Sequence, residues 1–494
     1  MEERTGGVNC SGYAMRETTR EKKAVTGALV ERGGPRESCG VFGIYGHEDA
    51  AKLTYFGLYA LQHRGQESAG IAASTGKSVR VYKQMGLATD VFSEEVLNGL
   101  PGHVAMGHVR YSTTGSSVEK NAQPFVVHHS GKTLAIGHNG NLINARRLRS
   151  ELEQRGSIFQ TTMDSEIIVH LIARNIQHGI EEALARTMLE IKGAYSCVLM
   201  TDDQLIAVRD PNGWRPLCLG RLKEAWVVAS ETCALDLIDA EYIRDVDPGE
   251  IVIIDGAGLR SIKPFSERRK SFCIFEFIYF ARPDSNIFGR NVYDVRKKLG
   301  KRLAEEYPLQ ADFAMPLPDS GSYAAIGYCQ ASGIPLEMGV IRNHYVGRTF
   351  IEPSQAMRDF GVKVKLNPVR GLLKGKRVVI IEDSIIRGTT SRMRIKTLRQ
   401  AGAEKIHMMI SCPPHRYPCF YGIDFSTKGE LIACEHTVEE IRRYIGADSL
   451  CYLSMKGMIE ATGLPADHFC LACFDGRYPL EPEDDFSKLC LEKP

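Results

Sequence analysis

No apolar run in this chain approaches the about 20 residues that a membrane-spanning helix needs, so nothing in it points to a bilayer. An excess of one charge is missing too. The 62 basic and 60 acidic residues leave a net +2, which makes no electrostatic case for nucleic acid. The first 38 residues are polar and charged and lack the apolar stretch of a secretory signal. Without an export signal, the 14 cysteines argue for reduced thiols or metal ligands rather than disulfides. The expected location is cytoplasmic. No internal repeat or low-complexity block stands out, and 43% hydrophobic with 25% charged residues is an ordinary globular composition. At 494 residues the chain is too long for one core, so two or three domains are expected.

The apolar pattern divides the chain. From Cys39 to about Asp255 it runs in short β-rich segments broken by Gly and Asn turns, such as SCVLMTDD, LIAVRDP and EIVIIDG. Two helical patches, Asp164 to Gln177 and Gly179 to Ile191, interrupt them, which is the pattern of an α+β sandwich. From Val292 onward the pattern becomes βαβ. Val292, Val295, Leu299 and Leu303 recur at helical spacing, and FAMPLP, LEMGVI, RVVII and KIHMMIS alternate with further helices. A parallel sheet is expected there.

The most informative stretch is VVIIEDSIIRGTTS, residues 378–391. Val378, Val379, Ile380 and Ile381 read as a buried parallel strand. Glu382 and Asp383 follow, then a hydroxyl-rich loop from Ser384 to Thr390, then a helix. Loop amides and a helix N-terminus suit a phosphate. Carboxylates would repel one, so they require ribose hydroxyls or a Mg2+ ion instead. A phosphosugar carrying metal-bound pyrophosphate satisfies both. The Gly-Lys-Ser/Thr ending of a P-loop is absent.

This run resembles the phosphoribosyl pyrophosphate (PRPP) signature of the type I phosphoribosyltransferases. The resemblance implies that Glu382 and Asp383 hold the ribose and the Mg2+-pyrophosphate, while Ser384, Arg387, Gly388, Thr389 and Thr390 cradle the 5′-phosphate. LPDSGS (317–322) resembles the pyrophosphate loop, with Ser320 as a metal-associated hydroxyl, or a helix N-cap. IRNHYVGRTFIEPS (341–354) resembles the flexible catalytic loop, with Arg348 among its basic residues. Many members carry Asp where this chain has Glu382, which bears on its Mg2+ role.

Upstream, ESCGVFGIYG around Cys39 is followed in order by GLYALQHRGQESAGI, GHVRYSTTG, GHNGNLIN and TMDSE. Together they resemble the class II glutamine amidotransferases, whose N-terminal nucleophile fold is an αββα sandwich. From Cys39 to its end the chain is similar to the glutamine PRPP amidotransferases. The resemblance implies Cys39 as nucleophile, Asn139 and Gly140 as oxyanion hole, Arg110 on the glutamine carboxylate and Asp164 on its ammonium. A common turn, a surface ion pair and a helix N-cap are the plain alternatives for Asn139, Arg110 and Asp164. Acyl transfer needs a nucleophile and a proton acceptor. A terminal Cys supplies both, because its α-amine titrates near pH ~8. Residues 1–38 are therefore expected to be a propeptide, with Met1 or Met15 as the start. The further divisions are a glutaminase domain at 39–270, a phosphoribosyltransferase domain at 271–445 and a C-terminal segment at 446–494.

Cys470 and Cys473 form a CxxC, which alone fits zinc, an iron–sulfur centre or redox chemistry. CLACFDGRYP resembles the signature of the iron–sulfur subgroup of the same family, which implies Cys273 and Cys419 as the other ligands of a [4Fe–4S] cluster. Cys412, Cys434 and Cys451 are rivals, read more simply as small buried residues. The same resemblance implies glutamine and PRPP as substrates, Mg2+ as cofactor, feedback by purine nucleotides and a homotetramer. A sugar-phosphate amidotransferase and a non-catalytic PRPP sensor are the competing readings.

Overall fold

The computed structural model describes residues 39–112, 114–129, 131–266, 268–343, 366–424, 428–482 and 490–492, all within one compact unit. The expected propeptide and Arg348 lie outside these residues.

The first half is two antiparallel sheets stacked face to face. One has seven strands in the order Glu241–Asp245, Cys218–Leu222, Ala225–Ala229, Gly40–Tyr45, Val104–Arg110, Ser68–Ser74 and Val79–Met85. The other has six, in the order Gly258–Ile262, Ile251–Asp255, Leu205–Arg209, Gly193–Met200, Lys132–Leu142 and Phe125–His129. Side chains alternate along each strand, so each sheet has two apolar faces. Val198, Met200, Ala207, Val252 and Ile254 fill the space between the sheets, with Val41 and Met106 opposite. Their sequence neighbours Cys197, Leu199, Ile206, Val208 and Ile253 face outward onto the helices Ala145–Gln154, Ser165–Asn175 and Ile180–Glu190. Phe42 and Ile44 face the helix Ala50–Ala60 on the other side. The result is the αββα order.

Two helices of ten residues or more exceed the sequence expectation for this half. Ala145–Gln154 buries Ala145, Leu148 and Leu152, a spacing of three and four that was legible. Ala50–Ala60 is apolar on most sides and is buried only because a sheet covers it.

In the second half, strands Phe313–Pro316, Arg377–Glu382, Lys405–Ile410 and Ser449–Tyr452 form a parallel sheet in that order. The expected division at 445 thus falls before the fourth strand. LEMGVI meets this sheet only through a single parallel bridge from Leu336 to Ala314, and its end, within Val340–Arg342, pairs antiparallel with Leu366–Pro368. The two halves share chain. Phe272–Cys273 pairs in parallel with Phe469–Cys470, and Leu491 packs into the core of the first half.

Candidate active sites

Cys39 sits at the mouth of the first sheet, where Gly40 pairs with Val109. Its thiol donates to the Tyr111 carbonyl at 3.2 Å. Burial pushes the thiol above its ordinary value, with Arg110 opposing, so ionising it requires a nearby base. Arg110 ends the neighbouring strand. Its guanidinium donates to the carbonyls of Thr114 and Ser116, both at 3.2 Å, which holds residues 114–116 against it. The Glu67 carboxylate is 4.0 Å away and also receives the Ser112 N–H at 3.0 Å.

Asp164 precedes the helix Ser165–Asn175 but does not cap it with its side chain. Instead its carboxylate accepts the Leu142 N–H at 2.9 Å and lies 3.5 Å from His138 Nδ1. Burial would raise this carboxyl. The His138 ring and the Leu142 N–H outweigh it and hold it below the ordinary range, so Asp164 is an anion facing the Cys39 side of the sandwich.

Asn139 is 0% exposed, and neither its Nδ2 nor its Oδ1 has a hydrogen-bond partner among the described residues. A buried amide left unsatisfied costs roughly 1–3 kcal/mol, a cost expected where a ligand completes the bonding. The strand does not relax because Asn139 and Gly140 are locked in register with Ser196 and Tyr195. Gly140 has φ +150°, and a Cβ there would lie 2.0 Å from the Ala194 carbonyl oxygen. Only glycine fits.

Behind Cys39 lies a buried ionic chain that no single motif announced. Arg64 donates from Nε to the Cys39 carbonyl at 3.1 Å. Its other nitrogens pair with Glu231 and, at 2.8 and 3.0 Å, with Glu276. Arg215 also reaches Glu276 at 3.0 Å, and its charge faces Cys273 and Cys419. Arg64 lies inside the QHRGQES motif, but its partners are 167 and 212 residues away. No local pattern could pair them.

At the second site, Glu382 ends the strand Arg377–Glu382 and Asp383 begins the loop. The loop closes with Gly388 in the left-handed region, and the helix Thr389–Gln400 starts there without a side-chain cap. Its first N–H groups therefore face the loop. Ser320, on the turn after the adjacent strand, lies close enough to Asp383 to favour its charged form, so the structure brings the two motifs together. Ser384 donates to the same carboxylate. Glu382 is clamped by Arg394 and, at 3.2 Å, by Ser391 Oγ. Burial, with Asp383 adding and Arg394 opposing, pushes Glu382 up to about 7. Arg387 turns away from the loop to pair with Glu430. Arg394 and Ser391 were missed in the sequence. They lie on the first turns of the helix, Ser391 at the last position of the motif and Arg394 beyond it, on the face the strand end sees.

Cys273, Cys419, Cys470 and Cys473 converge from three segments. Cys273 is in register with Cys470, and Cys473 is within electrostatic reach of the other three. Burial pushes all four thiols up, Cys273 to about 11. Among the described residues no three His, Cys, Asp or Glu side chains stand close enough to hold one metal ion. A four-iron cube takes one thiolate per iron, so its ligands are spread farther apart than those of a single ion.

A glutamine amidotransferase domain family matches residues 108–237. The Bacillus subtilis amidophosphoribosyltransferase is 50% identical over 92% of this chain and 97% of its own length. The Methanocaldococcus jannaschii one is 49% identical over 90% of this chain and 98% of its own. The solved structure of the Bacillus subtilis glutamine PRPP amidotransferase, complexed with ADP and GMP, superposes with a TM-score of 0.87. It is 49% identical and covers 92% of this chain and 100% of its own. The chain belongs to the amidophosphoribosyltransferase family. As a member it is an enzyme of the first step of purine biosynthesis, joining glutamine amidotransferase and phosphoribosyltransferase activities in one polypeptide. Neither competing reading survives: a sugar-phosphate amidotransferase would lack the phosphoribosyltransferase sheet, and a mere sensor would have no use for the glutaminase half.

Proposed function

We propose the following division of labour for the transfer of glutamine nitrogen to PRPP. Cleavage before Cys39 frees an α-amine, which takes the thiol proton as the sulfur attacks the glutamine amide. Arg110 holds the substrate carboxylate by a two-pronged contact, and Asp164 receives its ammonium. Asn139 Nδ2 and the Gly140 N–H stabilise the oxyanion. The protonated amine returns its proton to the leaving ammonia, water hydrolyses the remaining glutamyl thioester to glutamate and free thiol, and the ammonia attacks the sugar C1 of PRPP, from which pyrophosphate departs.

Around PRPP, Glu382 and Asp383 bind the ribose hydroxyls, while Ser384, Gly388, Thr389 and Thr390 cradle the 5′-phosphate. Arg387 joins them by exchanging Glu430 for phosphate. Arg348, outside the described residues, is a further PRPP contact. Asp383, Ser320 and Glu382 are hard oxygen donors of the kind Mg2+ takes, one or two carboxylates beside substrate phosphate. When bound, the ion offsets the charge of the departing pyrophosphate. The Arg394 clamp on Glu382 favours Asp383 as the direct ligand.

The unpartnered Asn139 amide carries this reading of the glutaminase site. Asn139→Ala is expected to lower kcat for glutamine hydrolysis by about 10²- to 10³-fold, the usual effect of removing an oxyanion donor. Steady-state glutaminase assays measure it, and a parental kcat would refute the assignment.

Cys273, Cys419, Cys470 and Cys473 are the proposed ligands of a [4Fe–4S] cluster with a structural role. Thiols raised by burial ionise only beside a compensating charge, which iron and Arg215 both provide. Purified protein is expected to be brown and to contain four irons per chain by elemental analysis. A colourless, zinc-loaded, active protein would exclude the cluster. The remaining expectations belong to the same reading: a cytoplasmic homotetramer, processed at Ser38–Cys39 and inhibited by purine nucleotides. The ADP and GMP in the Bacillus subtilis relative support the last. Mass spectrometry of the active chain reads the processing, because the mature mass must begin at Cys39.

A further inference from the structure

Gly140 has a neighbour from the other half of the chain. The segment Cys419–Gly422 runs up to the glutaminase strand. A Cβ added to Gly422 would meet the Gly140 carbonyl carbon at 3.1 Å and its oxygen at 3.2 Å. With the Ala194 carbonyl on another side, Gly140 is held between two backbones. Two residues of the segment are tied separately. The Phe420 carbonyl accepts from Asn141 Nδ2 at 2.9 Å. The Tyr421 carbonyl accepts from Arg215 at 3.0 Å, and its ring stacks on Trp214 at 4.6 Å. Asn141 also accepts from Thr114 Oγ1, and the Thr114 carbonyl receives Arg110. One side chain thus spans the glutamine clamp, the oxyanion strand and the second half.

We propose that the segment Cys419–Gly422 is the back wall of the oxyanion hole, and that Asn141 and Gly422 are positioning residues for the Gly140 peptide. The inference rests on the reading of Asn139 and Gly140 given above. A glycine at φ +150° has a wide, shallow torsional range, so a donor N–H there points reliably only if its surroundings hold it. Preorganised donors are effective because they need not reorient as charge develops. The sandwich fixes one side of this glycine, and residues 420–422 supply the other. Such a wall acts on the transition state and leaves the Arg110 and Asp164 contacts untouched, so its signature is in kcat and not in KM.

Three variants test this. Gly422→Ala pushes a methyl against Gly140. Gly446→Ala is the control: it has a similar left-handed backbone, φ +81°, but its Cβ meets nothing nearer than Ile395 Cγ2 at 4.0 Å. Asn141→Asp keeps its acceptor for Thr114 but replaces the donor to Phe420 with a repelling oxygen. Gly422→Ala and Asn141→Asp are each expected to lose roughly tenfold in kcat for glutamine. That is less than the roughly 10²-fold cost of deleting an oxyanion donor outright. KM for glutamine and PRPP amination by added ammonia stay parental, and Gly446→Ala keeps all three. Parental kcat in both variants, with Asn139→Ala impaired, would overturn the wall while sparing the oxyanion assignment. Parental kcat in Asn139→Ala as well would remove the assignment itself. Should Gly422→Ala fail to fold, the Asn141→Asp result decides alone, and equal loss of glutamine- and ammonia-dependent rates there would also overturn the proposal.

Discussion

Cys39→Ala is expected to lose glutamine-dependent phosphoribosylamine formation by about 10⁴-fold or more, the scale on which nucleophile deletions act. The same protein should still aminate PRPP with ammonium salts at the parental rate. The physical basis is the separation of the cores. Cys39 adjoins the first strand of a sandwich whose apolar cores run over residues 41–254, whereas Glu382 and Asp383 rise from a sheet with its own core. Alanine removes one sulfur and its bond to the Tyr111 carbonyl, and leaves Gly40 in its ladder. Coupled pyrophosphate-release assays with each nitrogen donor measure both rates. If the two fell together, Cys39 would be holding the fold together and not releasing ammonia.

Arg64→Met is expected to destabilise the protein by about 3–5 kcal/mol, the range for removing one partner from a buried ion pair. Arg64 is the cation between Glu231 and Glu276, and all three are at most 1% exposed. Methionine preserves much of the volume but strands two carboxylates. His63 and Ser285 remain on Glu231, and Arg215 on Glu276, so the loss falls short of the full burial cost of two charges. The pH dependence follows. Burial would raise Glu231, but His63 and Arg64 hold it well below its ordinary 4.5. Its stabilisation is therefore complete above about 4.5 and fades as pH falls toward its folded value. In Arg64→Met the folded value moves up toward the ordinary one, so the acid-linked loss should be smaller and should end at a higher pH. Urea titrations at neutral and mildly acidic pH measure both effects, and an unchanged midpoint would refute the account.

Local pattern carried much of the architecture. The apolar alternation of Ile251 to Ile254, two faces in four residues, describes a strand between two layers wherever it sits. VVII before Glu382 needed only its neighbours to be read as a buried parallel strand. The helices at 145–154 and 50–60 went unread for different reasons. The first has clear periodicity, whereas the second is so apolar that periodicity vanishes and only its sheet gives it a face.

The sequence by itself determined the chemistry on offer: which thiol, carboxylates, amide and guanidinium exist, and on which turns and strand ends they stand. Those choices are local, made by side-chain type and by spacings of two or four residues. Tertiary structure alone decided the partnerships. It left the Asn139 amide unpaired, tied Arg64 to Glu231 and Glu276, clamped Glu382 with Arg394, and set Gly422 against Gly140. Electrostatic and steric contacts depend on distance in space, and most of these pairs join residues far apart along the chain.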